Sequence, residues 1–135
     1  MPPELADVRA WLEKADRDLR TAGAALRQRP PITDTAAFHV QQAIEKLLKA
    51  YLVSRALAFE RIHDLEMLLD NCARADAAFA ALKPKVAPLT AYAVRFRYPG
   101  PADPPVKSVR AALAVVREVR EFVLARMPPE VRPDG

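Results

Sequence analysis

Residues 36–52, AAFHVQQAIEKLLKAYL, place Ala36, Ala37, Val40, Ala43, Ile44, Leu47, Leu48, Tyr51 and Leu52 at alternating short and three-residue steps. At about 100° per residue these positions cover roughly half of a helix circumference. A helix packed against a single neighbour needs only a narrower apolar stripe. This segment is therefore expected to be the central helix of a bundle, or to serve a subunit interface as well. Thr33, Asp34 and Thr35 precede it, and each is a residue type that caps a helix start.

On the N-terminal side, Leu5, Val8, Leu12, Ala15, Leu19, Ala22 and Leu26 alternate steps of three and four, an amphipathic helix that Pro30-Pro31 ends. Glu13 with Arg17 and Asp16 with Arg20 stand at i,i+4 on its wet side. On the C-terminal side, Phe59-Glu60-Arg61-Ile62-His63-Asp64 reads as a connection, with Asp64 capping a short helix that carries Leu65, Leu68, Leu69 and Cys72. Ala75–Leu82 continues it by a turn or two. Leu89, Tyr92, Ala93 and Phe96 mark another short helix ending at Tyr98 before Pro99, and GPADPP is a loop. The last helix runs from about Val106 to Met127 with Val109, Leu113, Val116 and Val123 inward, and PPEVRPDG forms a frayed tail. No alternating strand pattern occurs. The expected fold is all-α, an up-and-down bundle of four to five helices in one domain over residues 1–135, with a core of about 5–127 and a flexible tail at 128–135.

The single cysteine, Cys72, excludes an internal disulfide and a cysteine-pair zinc site. The first residues are charged and hold no apolar signal core, and no segment reaches the roughly 18–20 apolar residues of a membrane span. A cytoplasmic setting is expected. The net charge of +4 is unevenly placed. Met1–Leu82 holds 11 Lys/Arg against 12 Asp/Glu, whereas Lys83–Met127 holds 9 against Asp103, Glu118 and Glu121 alone. Such a basic lobe suits an anionic partner, or simply a soluble surface.

Four stretches together carry a resemblance. They are Phe38 to Leu52; Ile62-His63-Asp64-Leu65 with Leu68-Leu69; Leu89-Thr90-Ala91-Tyr92 through Arg97-Tyr98-Pro99-Gly100; and the opening helix with Trp11, Ala15, Asp18 and Leu19. In this order and spacing they resemble the HEPN domain family in its small stand-alone prokaryotic form, from about Trp11 to Met127. The resemblance implies a bundle of four to five helices that is commonly dimeric. It also implies association with a small nucleotidyltransferase subunit in toxin–antitoxin-like pairs, and metal-independent ribonuclease activity in some members.

Those ribonuclease members carry an arginine followed a few residues later by a histidine. Cleavage through the RNA 2′-hydroxyl needs a proton carrier titrating near neutrality and a cation to steady the phosphate. Here the region reads Arg95-Phe96-Arg97-Tyr98-Pro99-Gly100-Pro101-Ala102-Asp103-Pro104, and no histidine occurs after His63. Asp103 stands at the matching distance from Arg97, but an ordinary aspartate, with a pKa of about 4, is a poor proton donor at neutral pH. On the second helix His39, Gln42, Lys46 and Lys49 share an arc of about 80°. That stripe reads as a solvent-facing side or as a hold for a phosphate or carboxylate. His63, just before Asp64, reads as fixing the turn by hydrogen bonding. The two histidines lie 24 positions apart with no ligand spacing, so no metal is expected. Gly23 and Gly100 are isolated and form no phosphate-cradling loop. Arg95, Arg97 and Tyr98 at a helix end can meet a base and its phosphate, while Arg110, Arg117, Arg120 and Arg126 supply a general field.

The expectation is a non-catalytic binding protein with no cofactor and no catalytic residue. It is a homodimer that partners a minimal nucleotidyltransferase, or binds nucleotide or RNA through Arg95, Arg97, Tyr98, His39, Gln42, Lys46 and Lys49. The alternatives are a divergent ribonuclease toxin and a purely structural dimerisation module.

Overall fold

In the computed structural model, which describes residues 3–59, 64–92, 99–100 and 102–133, helices follow one another without any strand among the described residues. They are α1 (Pro3–Arg27), α2 (Thr33–Ser54), α3 (Leu65–Ala75), the short α4 (Lys83–Val86) and α5 (Val106–Leu124). Turns of 3-10 helix lie at Ala77–Leu82, Ala87–Leu89 and Pro129–Val131. The fold is all-α.

The wide apolar face of α2 is explained by its position. α1, α3 and α5 all pack against it, α1 most extensively, and Ile44, Leu47, Leu48 and Leu52 have no solvent exposure. The short link between α1 and α2 makes them an antiparallel hairpin. Ala15, Ala22 and Ala25 of α1 and Ala36, Ala37, Ala43 and Ala50 of α2 are all buried, and such small side chains let two helix axes approach closely. The α1 stripe is as expected, with Val8, Leu12, Ala15, Ala22 and Leu26 buried and Leu5 and Leu19 half-buried.

Several helix ends differ from the expectation. α2 starts directly at Thr33 with Ile32 in the cap position and no capping side chain. The cap position falls on Ile32, whose side chain has no acceptor; its N–H donates to Ala25 O (2.9 Å) and its C=O accepts the first intrahelical bond from Ala36 N (3.1 Å). At its other end, α2 closes in a Schellman arrangement. Ala56 N–H reaches Val53 O (3.0 Å) and Leu57 N–H reaches Leu52 O (2.9 Å). The left-handed residue this demands is Ala56, with φ of 56°, where glycine is usual. Asp64 caps α3 as expected, accepting from Glu66 N (2.8 Å) and Met67 N (3.2 Å).

After α3 the apolar positions Phe79, Leu82, Val86 and Leu89 step by three and four through the 3-10 and α4 turns, and all are buried. Phe79 stacks tilted on Tyr51 of α2 (4.4 Å) and edge-on to Phe122 of α5 (4.9 Å). Arg126 closes this cluster. Its guanidinium lies 3.5 Å from the Phe122 ring centroid, and its Nε donates to Asp76 (2.9 Å). Asp76 also caps the Ala77–Leu82 turn by accepting from Ala78 N (3.0 Å). Cys72 is buried with its thiol toward Leu48 O (3.7 Å), and burial pushes its pKa up to about 12, which keeps it inert.

Two further expectations are corrected. Asp16 is held not by a neighbour on its own helix but by Arg120 of α5, through two bonds of 2.8 and 3.0 Å. The tail does not fray over its described residues. Val131 is fully buried, and Arg9 Nη2 donates to Pro133 O (3.2 Å), so the segment is tied back to α1.

Ala56→Gly is expected to raise stability by about 1 kcal/mol, roughly 3 °C in Tm, because glycine adopts a positive φ without a Cβ clash. A fall in Tm on thermal unfolding contradicts the cap. The hydrogen bond from Ala78 N, then that from Arg126, holds the Asp76 carboxyl below its usual range. A depressed acid contributes stability above its unfolded pKa and loses it as pH falls through the folded value. The contribution should therefore be full at neutral pH and decline progressively as pH falls below about 4. Asp76→Asn should flatten this part of a Tm-versus-pH curve, and an unchanged curve refutes the assignment.

Candidate functional site

His39, Gln42, Lys46 and Lys49 do fall on one side of α2, but that side meets the edge of α1 rather than open solvent. Asp18 of α1, only 6 % exposed, is the hub. Its Oδ1 lies 2.7 Å from His39 Nδ1, and its Oδ2 accepts from Lys46 Nζ. A carboxylate only accepts, so the bond places a proton on Nδ1 and leaves Nε2 of a neutral His39 as the free ring nitrogen. Gln42 is half-buried, and its amide donates to Gln41 Oε1 (2.7 Å).

One turn further along α2, Lys49 is 5 % exposed and donates to Glu45 Oε2 (3.0 Å), itself 6 % exposed. The ammonium also faces two rings, at 5.7 Å from the Trp11 centroid and 5.4 Å from Phe59. Those rings meet edge to face at 5.6 Å and 83°. Ion pairing and the π faces together compensate for taking the lysine out of water. Lys49 thus belongs to the interior.

Beside this seam lies a groove of about 410 Å³ lined by Asp7, Ala10, Trp11, Lys14 and Lys46. Lys14 projects into solvent, whereas Lys46 is fixed by Asp18. The groove mixes an aromatic wall with two cations, chemistry that suits a flat molecule bearing an anion.

Four cations of the basic lobe are paired with acids. Lys83 pairs with Asp70 (3.2 Å), Lys85 with Glu118 (2.8 Å), Arg120 with Asp16 and Arg126 with Asp76. Lys107, Arg110 and Arg117 remain exposed on α5. Arg95, Arg97, Tyr98 and His63 lie outside the described residues. Among the described residues no group of three His, Cys, Asp or Glu side chains is arranged to hold a metal, and no helix is long and apolar enough to cross a membrane.

The HEPN domain family model matches residues 8–127, which include most of α1 and all of α2, the Asp64-capped α3 and α5. The chain belongs to the HEPN domain family. Neither a curated protein nor a solved structure matches it. In this HEPN chain the resemblance drawn from Trp11 to Met127 therefore falls wholly within the matched span. Spacing on α2 found His39, Lys46 and Lys49 but missed Asp18, Glu45 and Trp11 as their partners. A signal for Asp18 existed: it stands three residues after Ala15 and four before Ala22, a charge set into the apolar stripe of α1. A carboxylate there requires a cation on the facing helix.

Asp18→Ala is expected to cost about 2 kcal/mol, because it strips the acceptor from both His39 and Lys46. Lys14→Ala, at an exposed position of the same seam, should stay within about 0.5 kcal/mol. Urea denaturation measures both, and equal effects contradict the hub role of Asp18.

Proposed function

We propose that this HEPN chain is a non-catalytic binding protein: a cytoplasmic homodimer that partners a minimal nucleotidyltransferase and takes a nucleotide or RNA. The observation that carries the reading is that no histidine follows His63, so neither Arg95 nor Arg97 has the imidazole that the family's ribonucleases place downstream. Without it, the 2′-hydroxyl has no base titrating near neutrality and the leaving oxygen no matching acid. The arginines retain the charge to meet a phosphate.

RNA contact draws on Arg95, Arg97 and Tyr98 together with the exposed Lys107, Arg110 and Arg117 of α5. The ion pairs that neutralise Lys83, Lys85, Arg120 and Arg126 limit the field, so binding is expected to be moderate. The homodimer draws on the family resemblance and on Leu57 and Met67, which are 39 % and 55 % exposed and flank the α2–α3 connection.

Pure, nuclease-free protein should leave RNA intact at neutral pH without metal, while binding a single-stranded RNA in a salt-dependent manner. Each phosphate-contacting arginine removed should reduce the slope of log Kobs against log salt by about 0.7. Metal-independent cleavage that disappears in Arg97→Ala would establish the ribonuclease reading instead. Absent or salt-independent binding removes the RNA contact.

A further inference from the structure

We infer that the groove between α1 and α2 is a second ligand site, built for a planar ring with an anionic group at one end and a hydrogen-bond donor at the other. The inference deepens the binding reading above, since it places a small ligand at residues distant in sequence from the arginine pair.

The order of side chains along α1 sets the ligand's polarity. Asp7, Ala10, Trp11 and Lys14 all line the groove. Asp7 and Lys14 are two helical turns apart, about 10 Å along the axis. Between the acid and the base lies Ala10, whose methyl side chain leaves room above the helix, and the indole of Trp11 stands beside it. A donor, such as an amine, is therefore recognised at Asp7, a ring at Ala10 and Trp11, and an anion at Lys14.

The opposite wall adds a second cation in a fixed position. Lys46 reaches the groove from α2 while its ammonium is held by the buried Asp18. It still has two further N–H donors for a ligand oxygen. Trp11 is fixed as well, by the perpendicular Phe59 ring at 5.6 Å and by the Lys49 ammonium at 5.7 Å. The ring platform and one cation are thus in place before any ligand arrives, which reduces the entropy lost on binding. Lys14 and Asp7 have no ion-pair partner among the described residues. They remain available. The groove volume of about 410 Å³ is within the usual range for small-molecule sites.

Two sources share this chemistry, a free mononucleotide with an amino base and a small aromatic acid carrying an amine. The roughly 10 Å separation of Asp7 from Lys14 favours the longer of the two. Trp11 is the only tryptophan of the chain, so its indole N–H gives a single NMR signal located at the site. In full-length ¹⁵N-labelled protein, AMP should shift that signal saturably. Adenosine, lacking the anion, and 4-aminobenzoate, lacking the length, should each bind at least tenfold more weakly. Lys14→Glu should weaken AMP at least tenfold, and Ala10→Leu, which fills the groove at an exposed position, should abolish the shift. Unchanged helical circular dichroism shows that both variants are folded. Tighter binding of 4-aminobenzoate than of AMP assigns the site to aromatic acids and overturns the nucleotide arm. A Trp11 signal that no probe moves, or that moves equally in Lys14→Glu, overturns the site altogether. Salt-dependent RNA binding alongside a silent Trp11 refutes the groove and leaves the proposed function standing; RNA cleavage alongside a responsive Trp11 does the reverse.

Discussion

A charge withdrawn from water must keep its partner, and the α1–α2 hairpin contains three such charges. Asp18, Glu45 and Lys49 are each at least nine-tenths buried, and each is paired within the hairpin. Removing one partner of a fully buried pair such as Glu45 with Lys49 strands the other at a cost on the order of 3–5 kcal/mol, and less where the stranded partners are partly exposed, as His39 and Lys46 are. Apolar contacts between alanine-rich helices tolerate sliding by a turn. The bond set of Asp18 with His39 and Lys46 does not, because a shift of one turn moves the carboxylate about 5 Å from both. The polar seam therefore sets the register of the first two helices, and α3 and α5 pack on the surface that this register presents.

The same pairing logic shapes the electrostatics of the whole chain. Acids of the balanced first two-thirds reach across to bases of the last third: Asp16 to Arg120, Asp70 to Lys83 and Asp76 to Arg126. The half-exposed bonds contribute modestly in energy, but they orient α5 and close the aromatic cluster of Tyr51, Phe79 and Phe122. They also explain why a count of basic residues overstates the available field. What remains for an anionic partner is a smaller set of exposed cations on α5, and the Lys14–Lys46 pair at the mouth of the groove.

Local periodicity made much of this fold legible. The wide apolar arc of α2 pointed to a central helix, the three-four stripe of α1 named its buried face, and Asp64 announced the start of α3. The parts that stayed hidden depend on residues far apart in the chain or on absent signals. Asp16 chooses Arg120, more than a hundred positions away, over the nearer Arg20. The cap at Ala56 carries no glycine to mark it. Val131 is buried because α1 offers it a surface, a fact that a polar, proline-rich tail does not advertise. For the site, one helix face gave His39, Lys46 and Lys49, but their meaning came from the facing helix. A stripe that looked solvated in isolation became the inner edge of a polar seam.

Amide hydrogen exchange tests the central role of that seam most directly. The account predicts that the amides of Ala43–Leu52 exchange only through global unfolding, with those of Ala15–Ala22 equally slow and those of α3 and α4 faster. It predicts further that replacing Asp18 by Ala speeds exchange in both α1 and α2 together, since Asp18 of α1 pairs with His39 and Lys46 of α2. Protection that is strongest in α3 or α5, or an Asp18→Ala effect confined to α1, would contradict the claim that buried charge pairing between the first two helices organises the molecule.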